Sequence, residues 1–302
     1  MAEKVEELFT QFEEYLMRSG LASTTIVNYL ADLRTFARWY ADVKDLPCSL
    51  LELTPDDVRE YRRRMQINEG WTPATVNRRL QAVRKFYSFA METGLTGNNP
   101  ASGVRLIPLS ESGGSNSPRA LNPEEVDSLL EAVQGGRPSL VKRDYAIIQL
   151  LLQTGIRLGE LTSLRLSDVQ LWDDGQGLLL VAGGNDNRSR QIPLDALACA
   201  ALRDYLDVRP LLRPGSAQAS DGADSLFLSQ GGGCISRRTV QRLVSVYAKA
   251  AGLEDVSAHV LRHTFAVSTL ADTEDISLVS RLLGHRCLET TAKYLTCGIQ
   301  DS

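Results

Sequence analysis

The chain has 302 residues, 43% apolar and 23% charged, which suits two core-forming domains and excludes a largely disordered protein. No apolar run approaches the roughly 18 residues of a membrane span, and the start, MAEKVEELFTQFEEYL, is acidic and amphipathic rather than basic then apolar, so neither a membrane nor a secreted protein is expected. The net charge of −4 counts against nucleic-acid binding only if the charges are evenly spread, and they are not.

Residues 3 to 94 read as four helices, at about 4 to 19, 22 to 42, 55 to 68 and 73 to 93. Their starts carry ordinary signals: Ser23 and Thr24 before the second, Thr54-Pro55-Asp56-Asp57 for the third, Thr72-Pro73 for the fourth. In the fourth, Val76, Leu80, Val83, Tyr87 and Ala90 recur at helical spacing and form its buried stripe. The stretch 95 to 119, with GNNPASG and SESGGSNSP, reads as an inter-domain linker. The expected division is an N-terminal domain over 1–100, a linker over 101–119 and a C-terminal domain over 120–302.

Leu121-Asn122-Pro123-Glu124-Glu125 opens the next helix, its Asn cap and early acids suiting the positive end of the helix dipole. An apolar helix follows over 145 to 153. Two β-like runs, Gly177 to Ala182 and Ser189 to Leu194, flank GGNDNR, which is turn chemistry for a hairpin. The remainder of this domain is helical in pattern. From Ser236 on, Val240, Leu243, Val244, Tyr247 and Ala251 form an apolar stripe, leaving Arg237, Arg238, Gln241 and Arg242 on an outward face suited to a major groove.

Arginines bunch at Arg59 to Arg64, at Arg78 to Lys85 and at Arg237 to Arg242, whereas acids gather in the first 14 residues and in loops. A basic face on an acidic molecule is therefore allowed, with Arg63, Arg78, Arg79, Lys85, Arg237, Arg238 and Arg242 as the candidate DNA contacts. The five cysteines are scattered and odd in number without a CxxC pair, which fits a reducing cytoplasm better than a disulfide framework or a zinc site.

All three histidines, His259, His263 and His285, fall near the C-terminus. In His259-Val260-Leu261-Arg262-His263, helical spacing sets an imidazole and a guanidinium on one side of a turn. Arg157, in Thr154-Gly155-Ile156-Arg157-Leu158-Gly159-Glu160-Leu161, follows the apolar helix at what the glycines mark as a tight chain reversal. Two guanidinium forks suit the non-bridging oxygens of a phosphate. A metal reading of His259 and His263 lacks the glutamate of a zincin and a third ligand, so no metal is expected.

TGIRLGEL, HVLRH, LLGH at 282 to 285 and TTAKY ending at Tyr294 resemble, in order and spacing, the four sequence boxes of the tyrosine recombinase, or phage integrase, family, Xer-like members included. The resemblance covers most of the chain. It implies a mainly α fold with a small β-sheet hairpin in the C-terminal domain: a four-helix SAM-like core-binding domain plus an α-rich catalytic domain, forming a C-shaped clamp on DNA. Carried over by position, it implies that Arg157 and Arg262 hold the scissile phosphate with His285, and that His259 assists proton transfer from Tyr294. Tyr294 would form a 3′-phosphotyrosyl bond and release a 5′-hydroxyl, with Glu160 and His263 in support. It further implies double-stranded DNA with an inverted-repeat core site, a dimer per site and a tetramer in the synapse, either of one chain or with a related recombinase, and neither cofactor nor metal.

One departure stands out. The family places a lysine in the hairpin turn to protonate the departing 5′-oxygen, and alignment on Arg190-Gln191-Ile192-Pro193-Leu194 puts Asn185 there, with no lysine between Lys142 and Lys249. Arg188, a water molecule, or an impaired reaction are the competing explanations. The alternative function is accordingly a DNA-binding accessory protein with the recombinase fold and weakened chemistry.

Overall fold

A computed structural model describes residues 2–44, 50–108, 119–183, 189–212, 223–285 and Thr291. The chain forms two compact units, residues 1–115 and 116–302.

The first unit contains α1 (Ala2–Arg18), α2 (Ser23–Lys44), α3 (Pro55–Ile67) and α4 (Pro73–Glu92). Thr54 caps α3 through a reciprocal box with Asp57, and Thr72 caps α4, so two starts predicted from sequence are made by the hydroxyls expected to make them. The helices close around Phe12, Phe36, Tyr61, Leu80, Val83 and Phe86. Residues 101–108, inside the stretch predicted as a linker, pack on this unit. Ala101 and Val104 are buried, and Asn77 on α4 makes both amide hydrogen bonds to the Ile107 backbone at 2.8 Å. Leu106 and Ile107 also pack against the core, so the docking combines apolar contacts with backbone hydrogen bonds.

The second unit is built on α6 (Val141–Thr154), preceded by α5 (Pro123–Gln134), which Asn122 and Glu125 cap as the sequence indicates. α6 is buried on almost every face, with Ala146, Ile147, Ile148, Leu150 and Leu151 all inside. Its start carries an interior ion pair: Arg143 bonds Asp144, and the Tyr247 hydroxyl donates to the other Asp144 oxygen at 2.9 Å, fastening α6 to α9 (Arg237–Ala250). The short α7 (Leu158–Ser163) leads into an antiparallel sheet of β1 (Val169–Leu171), β2 (Gly177–Val181) and β3 (Arg190–Leu194). The predicted hairpin is β2–β3, in register at Leu179↔Ile192 and Val181↔Arg190. β1 is an addition to that expectation, three residues being too short to show a period. Leu179, Val181, Ile192 and Leu194 face the core. α8 (Ala196–Val208), α9, α10 (Ala258–Thr273) and α11 (Ile276–Leu283) complete the unit. Among the described residues no helix is long and apolar enough to cross a membrane.

Two helices that matter for the site stop at glycines in the left-handed conformation: α6 at Gly155 (φ +57°) and α11 at Gly284 (φ +65°). At Gly155 a Cβ would also lie 2.3 Å from the Phe265 ring and 2.8 Å from Leu283. Gly252 has a similar φ, +72°, but no heavy atom within 4 Å of such a Cβ. Gly155→Ala and Gly252→Ala should therefore each lose about 1 kcal/mol for the backbone, while Gly155→Ala alone loses a further ~1–3 kcal/mol from the clash. Denaturant unfolding of the two variants measures the difference, and equal losses would contradict the packing described.

Candidate active site

The chain leaves α6 through Gly155, buries Ile156 and starts α7 with Arg157 as the capping residue. The Glu160 carboxylate accepts the Arg157 backbone N–H at 2.7 Å and its Nη1 at 3.1 Å, while Nη2 donates to the Gly284 carbonyl at 2.9 Å. The side chain, half exposed, is thus fixed at two points and open to solvent elsewhere.

Arg262, in the second turn of α10, is 5% exposed. Its Nη1 donates to the Gly155 carbonyl at 2.5 Å and its Nη2 to the Leu283 carbonyl at 2.8 Å. These oxygens sit at the C-terminal ends of α6 and α11, where helix dipoles present partial negative charge, so the two helix ends stabilise one buried cation. Nη2 also lies 3.0 Å from His285 Nε2. A guanidinium only donates, so Nε2 accepts. The neutral ring therefore carries its proton on Nδ1, which donates to Oγ1 of the buried Thr291 at 2.9 Å.

Arg190, the first residue of β3, reaches the same place. Its Nη1 and Nη2 donate to the two Glu160 oxygens at 2.9 and 2.8 Å, and its Nε donates to the Leu282 carbonyl at 2.6 Å. Burial raises the Glu160 carboxyl, but the hydrogen bonds from Arg190 and the Arg157 backbone, with both guanidinium charges, outweigh it and hold the group below the ordinary carboxylate range. Among these five residues three guanidinium charges face one carboxylate. The imbalance is felt at His285, whose pKa falls to about 4 through burial first, then the charges of Arg262, Arg157 and Arg190. An arrangement of this kind holds an oxyanion with two or more negatively charged or polarised oxygens, as a phosphodiester presents.

The structure therefore brings together Arg157, Arg262, His285 and Glu160. His259 is exposed on the first turn of α10, and among the described residues no hydrogen bond to its imidazole is seen. His263 is 1% exposed, within the body of the unit rather than at the solvent-facing edge of the cluster. Tyr294, Asn185 and Arg188 lie outside the described residues.

The candidate DNA contacts divide into two groups. Arg238 and Arg242 are exposed on α9, and Arg63 is exposed beside Glu60 at 3.2 Å. Arg237 lies against α7, since a Cβ at Gly159 would sit 2.8 Å from its Nη2. In the first unit Arg78 and Arg79 share the buried Asp32, and the Arg79 guanidinium stacks 4.4 Å over Trp71. Lys85 lies 5.2 Å over the Tyr15 ring. Arg79 and Lys85 are thus engaged inside their own unit. Sequence reasoning passed over Arg190 and Thr291. No local signal marked Arg190, since its partner Glu160 lies 30 residues away.

His285 is held neutral, so it contributes stability that is fully present above its ordinary 6.5 and is lost as pH falls through about 4. In the DNA-free protein, proton–nitrogen correlation spectra should show His285 as the Nδ1–H tautomer at neutral pH, titrating near 4. A midpoint at the ordinary value would contradict both the burial of the ring and the cations set around it.

The Phage integrase family pattern matches residues 119–297, and that of its N-terminal SAM-like domain matches residues 9–94. The chain is 35% identical over 249 residues to "Tyrosine recombinase XerC" of Alcanivorax borkumensis, spanning 82% of this chain and 76% of that one. It is 31% identical over 294 residues to "Tyrosine recombinase XerD" of Lacticaseibacillus casei, spanning 95% and 92%. The crystal structure of the XerH site-specific recombinase bound to a palindromic difH substrate shares the fold, with a TM-score of 0.76 at 23% identity, over 99% of this chain and 87% of that one. Both units of the chain match in order, and the chain belongs to the phage integrase family of tyrosine recombinases.

Proposed function

We propose that this chain is a site-specific DNA recombinase that cleaves and rejoins DNA through a covalent bond between Tyr294 and a 3′-phosphate. The observation that carries the reading is the cluster of Arg157, Arg262 and His285, in which the cations exceed the single carboxylate of Glu160. Family membership supplies the reaction class, and the cluster supplies the place for the phosphate.

In this reading the two guanidinium groups hold the non-bridging oxygens and stabilise the charge that builds on them as the phosphorus becomes five-coordinate. The Tyr294 hydroxyl, a phenol of pKa about 10, is a weak nucleophile at neutral pH and gains from a proton acceptor. His259, exposed one turn before Arg262, is the group for that role. The Tyr294 oxygen forms a bond to phosphorus, the bond to the 5′-oxygen breaks, and that oxygen leaves with a proton as a hydroxyl. A 5′-hydroxyl of a partner strand then reverses the step, so one phosphodiester replaces another and no external energy source is needed.

The substrate is double-stranded DNA with an inverted-repeat core, as the palindromic substrate of the XerH structure supports. A tetramer of this chain, or of this chain with a related recombinase, aligns two such sites. Glu160 orients Arg157. The exposed Arg238 and Arg242 on α9 supply groove contacts, with Arg63 and Arg78 on the first unit reaching phosphates.

The test uses the duplex that the full chain selects from a randomised library, nicked so that cleavage traps the enzyme. A covalent protein–DNA adduct is expected with the unaltered chain and none with Tyr294→Phe. Specific binding of that duplex with no adduct would overturn the reading in favour of an accessory DNA-binding protein. If the hairpin turn lacks a proton donor because Asn185 stands there, a substrate with sulfur as the 5′ leaving atom will be cut faster than its oxygen counterpart, by up to roughly 10²- to 10⁴-fold. Asn185→Lys will narrow that gap by speeding the oxygen substrate. Equal rates on the two substrates would show that another group already donates the proton.

A further inference from the structure

Arg190 has no role in the reaction as set out above, yet its side chain is among the most constrained near the cluster. It is 13% exposed and bonded at three nitrogens, twice to Glu160 and once to the Leu282 carbonyl. A guanidinium makes this set because its fork matches a carboxylate while Nε points aside, and an ammonium has no such geometry. The guanidinium packs closely on the turn that carries His285: a Cβ at Gly284 would lie 2.9 Å from Arg190 Nη1 and 3.1 Å from Cζ.

The two partners lie on different parts of the site. Glu160 holds Arg157 by its backbone and its side chain. Leu282 and Leu283 precede the Gly284-His285 turn, and Leu283 holds Arg262. Arg190 itself opens β3, the second strand of the β2–β3 hairpin. A surface DNA contact would present its donors to solvent, whereas these three point inward.

We propose that Arg190 is a positioning residue that couples the strand leaving the hairpin turn to the phosphate clamp, through Glu160 to Arg157 and through Leu282 to the turn bearing His285. The inference rests on the recombinase reading for its kinetic consequence but not for its geometry. A hairpin strand seated correctly sets the two clamps, and a displaced one loosens both.

The experiment is a double-mutant cycle of Arg190→Gln and Glu160→Gln, read as single-turnover adduct formation on the nicked, library-selected duplex. At saturating DNA, Arg190→Gln should slow cleavage about 10- to 100-fold, and the double variant should be no more than about threefold slower than the slower single. The Kd for the duplex should stay near that of the unaltered chain, while the Tm falls because Glu160 loses its partner in a mostly buried ion pair. Unchanged cleavage, losses that multiply in the double variant, or a Kd that weakens in step with the rate would each overturn the proposal. Should Arg190→Gln fail to fold, Arg190→Lys keeps the charge without the fork and should still cleave about tenfold more slowly. Wild-type speed in that variant would overturn the proposal. If the unaltered chain forms no adduct, the recombinase reading fails by itself, and the coupling is then read from His285 by NMR. Its ring signals and its titration midpoint should move when Arg190→Gln removes one of the cations facing it, and an unmoved His285 would overturn the coupling.

Discussion

The second unit is organised around one buried charge. Arg262 puts a guanidinium among side chains that exclude water, a costly step unless its donors are met. They are met by the Gly155 and Leu283 carbonyls at the ends of α6 and α11, and by His285. This constraint explains why both helices stop where they do, on left-handed glycines that turn the chain away while leaving carbonyls aimed at the cation. It also explains why α10 packs where it does, since the guanidinium is the junction of three helices.

Partial charges on carbonyls stabilise a cation without neutralising it. Arg157 and Arg190 add two more full charges, and Glu160 cancels one. The cluster therefore holds its shape before any anion enters and keeps an electrostatic preference for one, which is the condition under which fixed groups stabilise charge in a transition state without rearranging. Burial first, and then the three cations, lower the pKa of His285, so that preference contributes to the depression without being its main cause. With Nε2 accepting from Arg262 and the Nδ1 proton given to Thr291, the neutral His285 adds no further fixed charge to the cluster.

Much of this was legible in the sequence. The helices of the first unit announce themselves through Thr54, Thr72 and the Val76–Leu80–Val83–Tyr87 stripe. Arg157, Arg262 and His285 sit in short boxes whose chemistry is local. What was not legible is long-range or carried by the backbone. Arg190 meets Glu160 across 30 residues and looked like the first residue of an ordinary strand. The Gly155, Leu283 and Gly284 carbonyls have no identity in a sequence, although they hold both arginines. His263, which follows Arg262 directly and was expected in a supporting place, is buried on α10, and burial is compatible with that place. For the candidate DNA contacts Arg79 and Lys85, the neighbouring Asp32, Trp71 and Tyr15 are long-range partners that the sequence does not display.

The central claim is that the Arg157–Arg262–His285 cluster is a phosphate site whose positive charge awaits a phosphodiester. It is tested most directly by titrating His285 in the complex with the library-selected duplex, using Tyr294→Phe so that no bond is broken. A phosphate between the guanidinium groups compensates the field that depresses His285, so its midpoint should rise from about 4, by about one unit or more. A midpoint unchanged on binding would mean that the phosphate sits elsewhere, and that the cluster holds the fold together without taking part in the reaction.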